Sequence, residues 1–500
     1  MPRPVAPARF TPRSILITGG AGFIGSHVVR HFVSTYPDYR ITVLDKLDYC
    51  ASMRNLESVK AHPRFSFVKG DVLSIDLVRY LLHSKHVDSV MHFAAQTHVD
   101  ASFGNSLAFT MNNTYGTHVL LEACRSYGKV ERFVLVSTDE VYGETSLEGG
   151  VGGRVGSRAG SRGEGTSGAN GPREGDADGG ADGGGARSRS RFPVDAAGAS
   201  GTALGAAADA AADLTASGSG APATASDSGA PAATPATSSP ASPPRPSLAD
   251  GSLTVSLAEM HLSARAPAPP SSSSSPPPPS SPIPRPVAET SRLVPTNPYA
   301  AAKAGAEMVA TAYYASYGLP LIIGRGNNAY GPGQFPEKLI PKFATLATMG
   351  RPLPVHGGGL ARRSYLHVAD VARAYDVILH RGAVGEIYNI GSRRERTVLD
   401  VARDILHSFH LPLSRARRVR DRPFNDQRYC IDDAKLAALG WEERVPWERG
   451  LRETLEWYQR QGADGWWRED DVRRALRAHP NDDEDDLQED WEDDVQGNEP

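Results

Sequence analysis

The early part of the chain alternates short apolar runs with segments that have the apolar spacing of helices, and this order restricts the fold more than any other feature. Strands that alternate with helices predict a parallel sheet covered by helices on both faces. Because crossovers between parallel strands are right-handed, the result is a doubly wound α/β domain. The predicted strands are 15–18, 41–44, 65–68, 89–93 and 133–136, and the predicted helices are 23–35, 75–83 and 107–126.

A long tract in the middle of the chain is unsuited to core building. Residues 146–288 are dominated by Gly, Ala, Ser and Pro, contain no Lys, and have Phe192 as their only aromatic residue. Such a segment cannot bury enough apolar surface to offset its ordering entropy, so we expect a disordered insert. Residues 252–263 within it are either a weak amphipathic helix or a chance apolar cluster. Closure entropy grows only logarithmically with loop length, so both flanks can still meet in one site.

The remaining sequence indicates a Rossmann-type doubly wound parallel sheet with a smaller C-terminal substrate-binding α/β lobe. Ordered sequence resumes near Glu289, where a predicted helix at 297–317 and a strand at 319–325 complete the sheet domain. Residues 482–500 hold eleven acidic and no basic residues, which predicts a solvated tail or, alternatively, a partner-binding one. The predicted divisions are an N-terminal extension (1–13), the sheet domain in two parts (14–145 and 289–330), the insert (146–288), the second lobe with elements that can interleave with the sheet domain (331–465), and the acidic tail (466–500).

Composition excludes several classes of protein. The three cysteines, Cys50, Cys124 and Cys430, are too few and too scattered for a disulfide framework or a metal site, which fits a reducing compartment and no metal. The absence of a compact Lys/Arg cluster argues against nucleic acid as a partner. No apolar run approaches the ~20 residues that a membrane span requires, and residues 1–13 lack the apolar stretch of a signal peptide. We therefore expect a soluble, cytoplasmic protein.

A glycine motif between the first predicted strand and the first helix predicts a dinucleotide site. Gly19 permits the tight turn, Gly22 lets the backbone approach a pyrophosphate, and Gly25 lets the helix pack on the strand. Asp45 ends the second strand, where a carboxylate accepts the ribose hydroxyls and repels a 2′-phosphate, so NAD is favoured over NADP. Asp71 contacts the adenine edge or caps a helix. The candidate cofactor-binding residues are Gly19, Gly22, Phe23, Ile24, Gly25, Asp45, Lys46, Asp71, Val72, Ala94, Ala95 and Asn328.

The candidate catalytic residues come from two distant segments. Thr138, Asp139 and Glu140 follow the fifth predicted strand, whereas Tyr299 and Lys303 lie one helical turn apart far downstream. Because the ordinary pKa of a tyrosine is ~10, Tyr299 needs an adjacent cation to act as a base at neutral pH. Hydride transfer alone needs no carboxylates, so Asp139 and Glu140 indicate additional proton chemistry, one as acid and one as base. The alternative is that they cap a helix or face water.

These motifs resemble nucleotide-sugar 4,6-dehydratases of the extended short-chain dehydrogenase/reductase family. The closest resemblance, at 44–50, 95–100 and 325–328, is to the dehydratase domain of plant rhamnose synthases, which use UDP-glucose. dTDP-glucose dehydratases share almost every motif. The matching stretches are 17–26, 44–52, 93–102, 137–144, 295–307, 325–343, 388–391 and 422–429.

This resemblance implies a role for each catalytic residue and a homodimer. Thr138 orients the substrate, Asp139 acts as acid, Glu140 as the C5 base, Tyr299 as the O4 base, and Lys303 supports Tyr299. The planar guanidinium of Arg363 can hold a diphosphate through two parallel hydrogen bonds. The implied substrate contacts are Thr97, Asn327, Lys338, Leu339, Arg363 and Asn425.

Three departures from the family pattern accompany the resemblance. The insert lies between Glu144 and Pro295, where the family has a much shorter loop. Residues 357–360, Gly-Gly-Gly-Leu, replace a more polar turn. The reductase/epimerase domain of the plant enzymes has no counterpart, so the expected product is the 4-keto-6-deoxy sugar.

The expected function is that of a UDP-glucose 4,6-dehydratase in deoxysugar biosynthesis, and three alternatives remain. A dTDP-glucose 4,6-dehydratase shares the motifs. A UDP-sugar 4-epimerase needs the Thr/Tyr/Lys set but not the pair Asp139 and Glu140. A catalytically silent scaffold would bind partners through the insert or the tail.

Overall fold

The computed structural model describes residues 9–144, 286–421, 428–461 and 465–479. The low-complexity tract up to residue 285, Asn425 and the acidic run 482–500 lie outside these residues. The disorder of the insert, its possible short helix and the solvated tail therefore stay predictions.

Strands and helices alternate as the sequence predicts. The strands are β1 (Ser14–Thr18), β2 (Arg40–Asp45), β3 (Phe65–Lys69), β4 (Ser89–His92), β5 (Arg132–Thr138), β6 (Leu321–Gly326), β7 (Asn328–Tyr330), β8 (Leu353–His356), β9 (Arg362–His367), β10 (Ile387–Ile390), β11 (Glu395–Thr397) and β12 (Ala416–Val419). The α-helices are α1 (Phe23–Thr35), α2 (Ile75–Ser84), α3 (Val99–Gly104), α4 (Ser106–Phe109), α5 (Gly116–Tyr127), α6 (Pro298–Tyr317), α7 (Leu339–Thr348), α8 (Val368–Arg381), α9 (Val398–Ser408), α10 (Ala434–Ala437), α11 (Trp447–Gln461) and α12 (Glu469–Ala475).

Seven parallel strands form the central sheet in the order β10-β6-β5-β4-β1-β2-β3. The strand order reverses direction between β1 and β4, and the loops at the carboxyl ends of these strands diverge there into a crevice. This confirms the predicted Rossmann-type fold. β5 runs two residues beyond its predicted end, so Thr138 is the last residue of a buried strand.

The predicted helix at 107–126 is interrupted. A π-helical turn, Thr110–Tyr115, separates α4 from α5. Within it, the side chain of Asn113 pairs with the backbone of Gln96, accepting from its N–H and donating to its carbonyl, both at 2.9 Å. Such wide turns form where a side chain satisfies groups outside the helix, which the spacing of apolar residues does not reveal.

The second lobe has its own apolar core between α7, α9 and α11, beside a three-stranded sheet (β11-β9-β7) and the pair β12-β8. Residues 466–479, which the sequence analysis placed in the acidic tail, pack into this core through Trp467, Val472 and Leu476. Trp467 also donates to the carbonyl of Cys50 at 3.2 Å. The boundary at 466 is therefore too early, because a few apolar anchors hold a segment in which half of the residues are charged.

The two flanks of the insert are tied together next to β5. Val294 N–H donates to the carbonyl of Val141 at 3.0 Å, and Val287 forms a β-bridge with Ile431. Gly143 has φ of +75°, and a Cβ there would lie 2.2 Å from the carbonyl oxygen of Val294. The chain that leaves β5 thus meets the chain that leads into α6, although Val141 and Val294 are 153 positions apart in the sequence. Val287, which lies inside the predicted insert 146–288, is buried, so the insert's predicted end is slightly late.

Candidate active site

A cleft of about 570 Å³ lies at the carboxyl ends of the central strands and continues to the second lobe. Asp139 does not line it, and Asn425 is outside the described residues. The other candidate residues all line it: Gly19, Gly22, Phe23, Ile24, Gly25, Asp45, Lys46, Asp71, Val72, Ala94, Ala95, Thr97, Thr138, Glu140, Tyr299, Lys303, Asn327, Asn328, Lys338, Leu339 and Arg363.

The glycine motif has the close backbone approaches that a dinucleotide site needs. Gly19 has φ of +71°, and a Cβ there would lie 2.5 Å from the backbone nitrogen of Ala94. A Cβ on Gly25 would lie 2.3 Å from the carbonyl oxygen of Gly19. Gly22 caps α1 without a side chain to satisfy the first helix amides, which leaves them for an anion. These residues fit a pyrophosphate.

Asp45 is held where the adenosine ribose of a dinucleotide is expected. Its carboxylate accepts from the N–H groups of Ala21 at 2.9 Å and Leu47 at 2.8 Å. Burial raises the pKa of Asp45, and these two backbone hydrogen bonds oppose the rise. Because each carboxylate oxygen keeps a lone pair, Asp45 can still accept from ribose hydroxyls.

Lys46 and Asp71 form a polar cluster beside this point. The ammonium of Lys46 donates to Asn112 at 2.8 Å and lies 3.2 Å from Asp48 and 3.9 Å from Asp71. Asp71 accepts from the N–H of Leu73 at 3.1 Å. Ser74, not Asp71, precedes α2 as its cap, so Asp71 does not cap that helix.

Thr138, Tyr299 and Lys303, here called the oxidation group, meet where β5 ends and α6 begins. Tyr299 is buried and hydrogen-bonded to Thr138. Burial, followed by the negative charge of Glu140, raises the pKa of Tyr299 well above its ordinary value. Lys303 donates to the carbonyl of Val136 at 2.5 Å, and burial lowers its pKa to about 8. The phenol thus needs the field of the nearby cation, and of a bound oxidised nicotinamide, to ionise.

Asp139 and Glu140, here called the elimination group, have different surroundings. Asp139 is 2% exposed, and its carboxyl accepts from Asn327 at 2.5 Å and from the Thr138 hydroxyl at 3.2 Å. Burial, and then the adjacent charge of Glu140, raise the pKa of Asp139 to about 7. Glu140 lines the cleft and accepts from the side-chain amide of Asn297 at 3.1 Å. The pair is therefore asymmetric, with one carboxyl favouring its neutral form.

The candidate substrate contacts lie further along the cleft. Lys338 donates to the carbonyl of Thr97 at 2.5 Å, and the Arg363 guanidinium lies 4.9 Å from the ring centroid of Tyr429. Both cations line the cleft, as a diphosphate would require. Leu360, in the turn that departs from the family pattern, is 69% exposed and also lines the cleft.

Asn327, a predicted substrate contact, also binds other residues of the protein. Its amide nitrogen donates to Asp139, and its oxygen accepts from the N–H of Ser392 at 3.1 Å. It therefore holds the carboxyl of Asp139 in addition to lining the cleft.

Several residues of the cleft are not among the site residues predicted from the sequence. Glu337 is buried, burial raises its pKa, and it accepts from the Tyr49 hydroxyl at 2.7 Å. His98 lies 3.7 Å from the same carboxylate. The sequence could have indicated Asn297, because Asn before Pro at the start of a predicted helix is typical of an N-cap. No sequence pattern indicates Glu337, since it follows a loop proline and its partners are far away in the sequence.

The described residues contain no cluster of His, Cys, Asp or Glu that could hold a metal ion. Within the same residues, no helix is long and apolar enough to cross a membrane.

A model of the GDP-mannose 4,6-dehydratase family matches residues 16–149 and 281–454, which span both lobes and leave out most of the insert. The chain belongs to this family. An Arabidopsis thaliana protein described as a trifunctional UDP-glucose 4,6-dehydratase, UDP-4-keto-6-deoxy-D-glucose 3,5-epimerase and UDP-4-keto-L-rhamnose reductase is 43% identical over 474 residues, covering 95% of the chain and 51% of the relative. The chain thus spans about half the length of this dehydratase-family relative.

Two further relatives match over nearly their whole length. The dTDP-D-glucose 4,6-dehydratase of Mus musculus is 34% identical over 460 residues, which cover 91% of the chain and 90% of the relative. A crystal structure of a dTDP-glucose 4,6-dehydratase from Streptomyces venezuelae with NAD bound is 30% identical, has a TM-score of 0.60, and covers 91% of this chain and 98% of that one.

Proposed function

We propose that the protein is an NAD-dependent nucleotide-sugar 4,6-dehydratase that converts UDP-glucose to UDP-4-keto-6-deoxy-glucose. The observation that carries this proposal is the elimination group: Asp139, with a raised pKa, and Glu140, on the cleft wall, directly follow Thr138 of the oxidation group. An enzyme that only oxidised a hydroxyl would need no such pair. Family membership supports the same reading.

The glycine motif and Asp45 would hold NAD at the strand ends, and NAD when bound supplies the acceptor and donor of hydride. Tyr299 takes the proton from O4 of the sugar as C4 is oxidised. Lys303, protonated below its pKa of about 8, stabilises the phenolate. Thr138, hydrogen-bonded to Tyr299, orients the same oxygen.

Elimination follows because a ketone at C4 makes the proton on C5 acidic. Glu140 removes this proton, and Asp139 gives its proton to the 6-hydroxyl, which leaves as water. Asp139 keeps its proton below about pH 7 because burial beside Glu140 raises its pKa to about 7. A hydride added at C6 and a proton added at C5 then complete the 4-keto-6-deoxy sugar, and no net oxidation occurs.

UDP-glucose is preferred over dTDP-glucose because the relative at 43% identity is named for UDP-glucose, whereas the relatives named for dTDP-glucose share 34% or less. The nucleotide can be tested by incubating the protein with UDP-glucose, dTDP-glucose and GDP-mannose and measuring loss of water by mass spectrometry. We expect the largest rate with UDP-glucose. A faster reaction with dTDP-glucose would assign the alternative nucleotide, and UDP-galactose as sole product would indicate a 4-epimerase.

We further propose a homodimer formed through the outer faces of neighbouring helices. Leu107, Met111 and Tyr115 are exposed on the segment from α4 to α5, and Met308 is exposed on α6, which packs against that segment. A second copy would cover this apolar surface. Sedimentation analysis should give a dimer, and Leu107→Glu should shift it towards monomer.

We also propose that the protein acts in the cytoplasm. The three cysteines are free thiols, and burial raises the pKa of Cys124 and Cys430, as suits unreactive thiols in a reducing compartment. Fractionation of cells that express the protein would test this location.

A further inference from the structure

Asn297 joins the elimination group to the helix that carries the oxidation group. It is the N-cap of α6, with extended backbone and 5% exposure. Its side-chain oxygen accepts from the N–H of Ala300 at 2.8 Å, and its side-chain nitrogen donates to Glu140 at 3.1 Å. One carboxamide thus makes a helix cap and a contact to the C5 base at the same time.

The capping bond fixes the orientation of the carboxamide. Its oxygen must face the helix amides, because an amide nitrogen cannot accept from Ala300. The NH₂ group is then directed to the Glu140 carboxylate. A hydrogen bond donated to a carboxylate favours the ionised form and fixes its direction.

Asn297 therefore lies beside both bases of the reaction. Tyr299 follows Asn297 by two residues in the first turn of α6, and Glu140 is held by the residue that starts this turn. Pro298 at the first helical position restricts the backbone between them. Movement of the helix start would displace both bases together.

We propose that Asn297 is a positioning residue for water elimination, which holds the Glu140 carboxylate and aims it at the substrate carbon next to the oxidised one. This inference rests on the proposed dehydratase function. It concerns the second chemical stage only, because the oxidation group reaches its position through α6 and the carbonyl of Val136 without the contact to Glu140.

Two substitutions separate the capping role of Asn297 from its donor role. Asn297→Ser retains a good N-cap but is too short to donate to Glu140. Asn297→Asp retains cap and length but places a carboxylate against Glu140. Asn105 offers a matched control, because it caps α4 by accepting from Ala108 at 3.3 Å on an exposed surface. Asn105→Ser makes the same exchange at a helix cap with no elimination group beside it.

The experiment measures both stages with UDP-glucose in single turnovers. Absorbance of the reduced nicotinamide reports oxidation, and deuterium uptake from solvent at C5 reports the action of Glu140. We expect Asn297→Ser to slow deuterium uptake ~10- to 100-fold, with oxidation nearly unchanged, so that reduced nicotinamide accumulates. Asn297→Asp should be slower still, and Asn105→Ser should behave as the wild type.

Several outcomes would overturn the inference. Equal slowing of oxidation and deuterium uptake in both variants would show that Asn297 serves only as a helix cap, and unchanged uptake would show that Glu140 does not need it. If Asn297→Ser lost its fold by circular dichroism, Asn297→Asp would carry the same comparison. A wild-type protein that released no water from any of the three nucleotide sugars would instead reject the proposed function, and this inference with it.

Discussion

The oxidation group and the elimination group meet at the end of β5 but are supported differently. In the oxidation group, Lys303 rests on the main-chain carbonyl of Val136 and shares a helix with Tyr299. In the elimination group, Asp139 and Glu140 are each held by the side-chain amide of an asparagine. Main-chain support persists when side chains change, whereas an asparagine contact can be lost in one substitution. Oxidation should therefore survive changes that stop elimination.

The largest effect is expected from removing the O4 base, on which both stages depend. Tyr299→Phe should lower turnover ~10²- to 10⁴-fold, the usual contribution of a positioned general base. Neither reduced nicotinamide nor deuterium at C5 should form in a single turnover. Circular dichroism should match the wild type, since only the hydroxyl is removed. Accumulation of reduced nicotinamide in this variant would show that oxidation does not depend on Tyr299.

Asp139→Asn should block elimination without blocking oxidation. The substitution keeps the size of the side chain but removes the proton that the 6-hydroxyl needs, so water release should fall ~10²-fold or more. Oxidation should continue, and a single turnover should leave the nicotinamide reduced. Full turnover in this variant would remove Asp139 from the mechanism and favour the epimerase alternative.

Raising the pH should act on the elimination group first. The pKa of Asp139 is raised to about 7 by burial beside Glu140, so the acid loses its proton as pH rises through this value. Above it, water release should fall about tenfold per pH unit, and reduced nicotinamide should accumulate. Lys303, with a pKa lowered to about 8, should impair oxidation only at higher pH. A common upper limit for both stages would contradict the separate support of the two groups.

The smallest effect is expected from removing the insert. Replacing residues 146–285 with a short Gly/Ser linker should leave turnover within about twofold, because closure entropy depends weakly on loop length. The contacts of Val141 with Val294 and of Val287 with Ile431 already bring the flanks together. A variant that folds, as judged by circular dichroism, but loses turnover would show that the tract contributes to the site.

The features that can be predicted from the sequence are those that depend on residues close together in the chain. The glycine motif, the strand that ends at Thr138 and the helix with Tyr299 and Lys303 follow from spacing and from neighbouring residue types. Asp45 at the end of β2 follows from the same rule.

The remaining features depend on contacts between distant segments. Asp139 binds Asn327, and Glu140 binds Asn297 across the insert. The packing of Trp467 in the second lobe likewise involves partners far away in sequence. Residue spacing does not indicate such pairs, so these contacts can be identified only in the folded structure.

In the proposed reaction, C4 is oxidised, water is eliminated across C5 and C6, and the same hydride returns to C6 within one active site. The most direct measurement uses UDP-glucose labelled with deuterium at C4, with the product examined by NMR. We expect a 4-keto-6-deoxy sugar that carries the deuterium at C6. Net release of reduced nicotinamide, or UDP-galactose with deuterium still at C4, would contradict it.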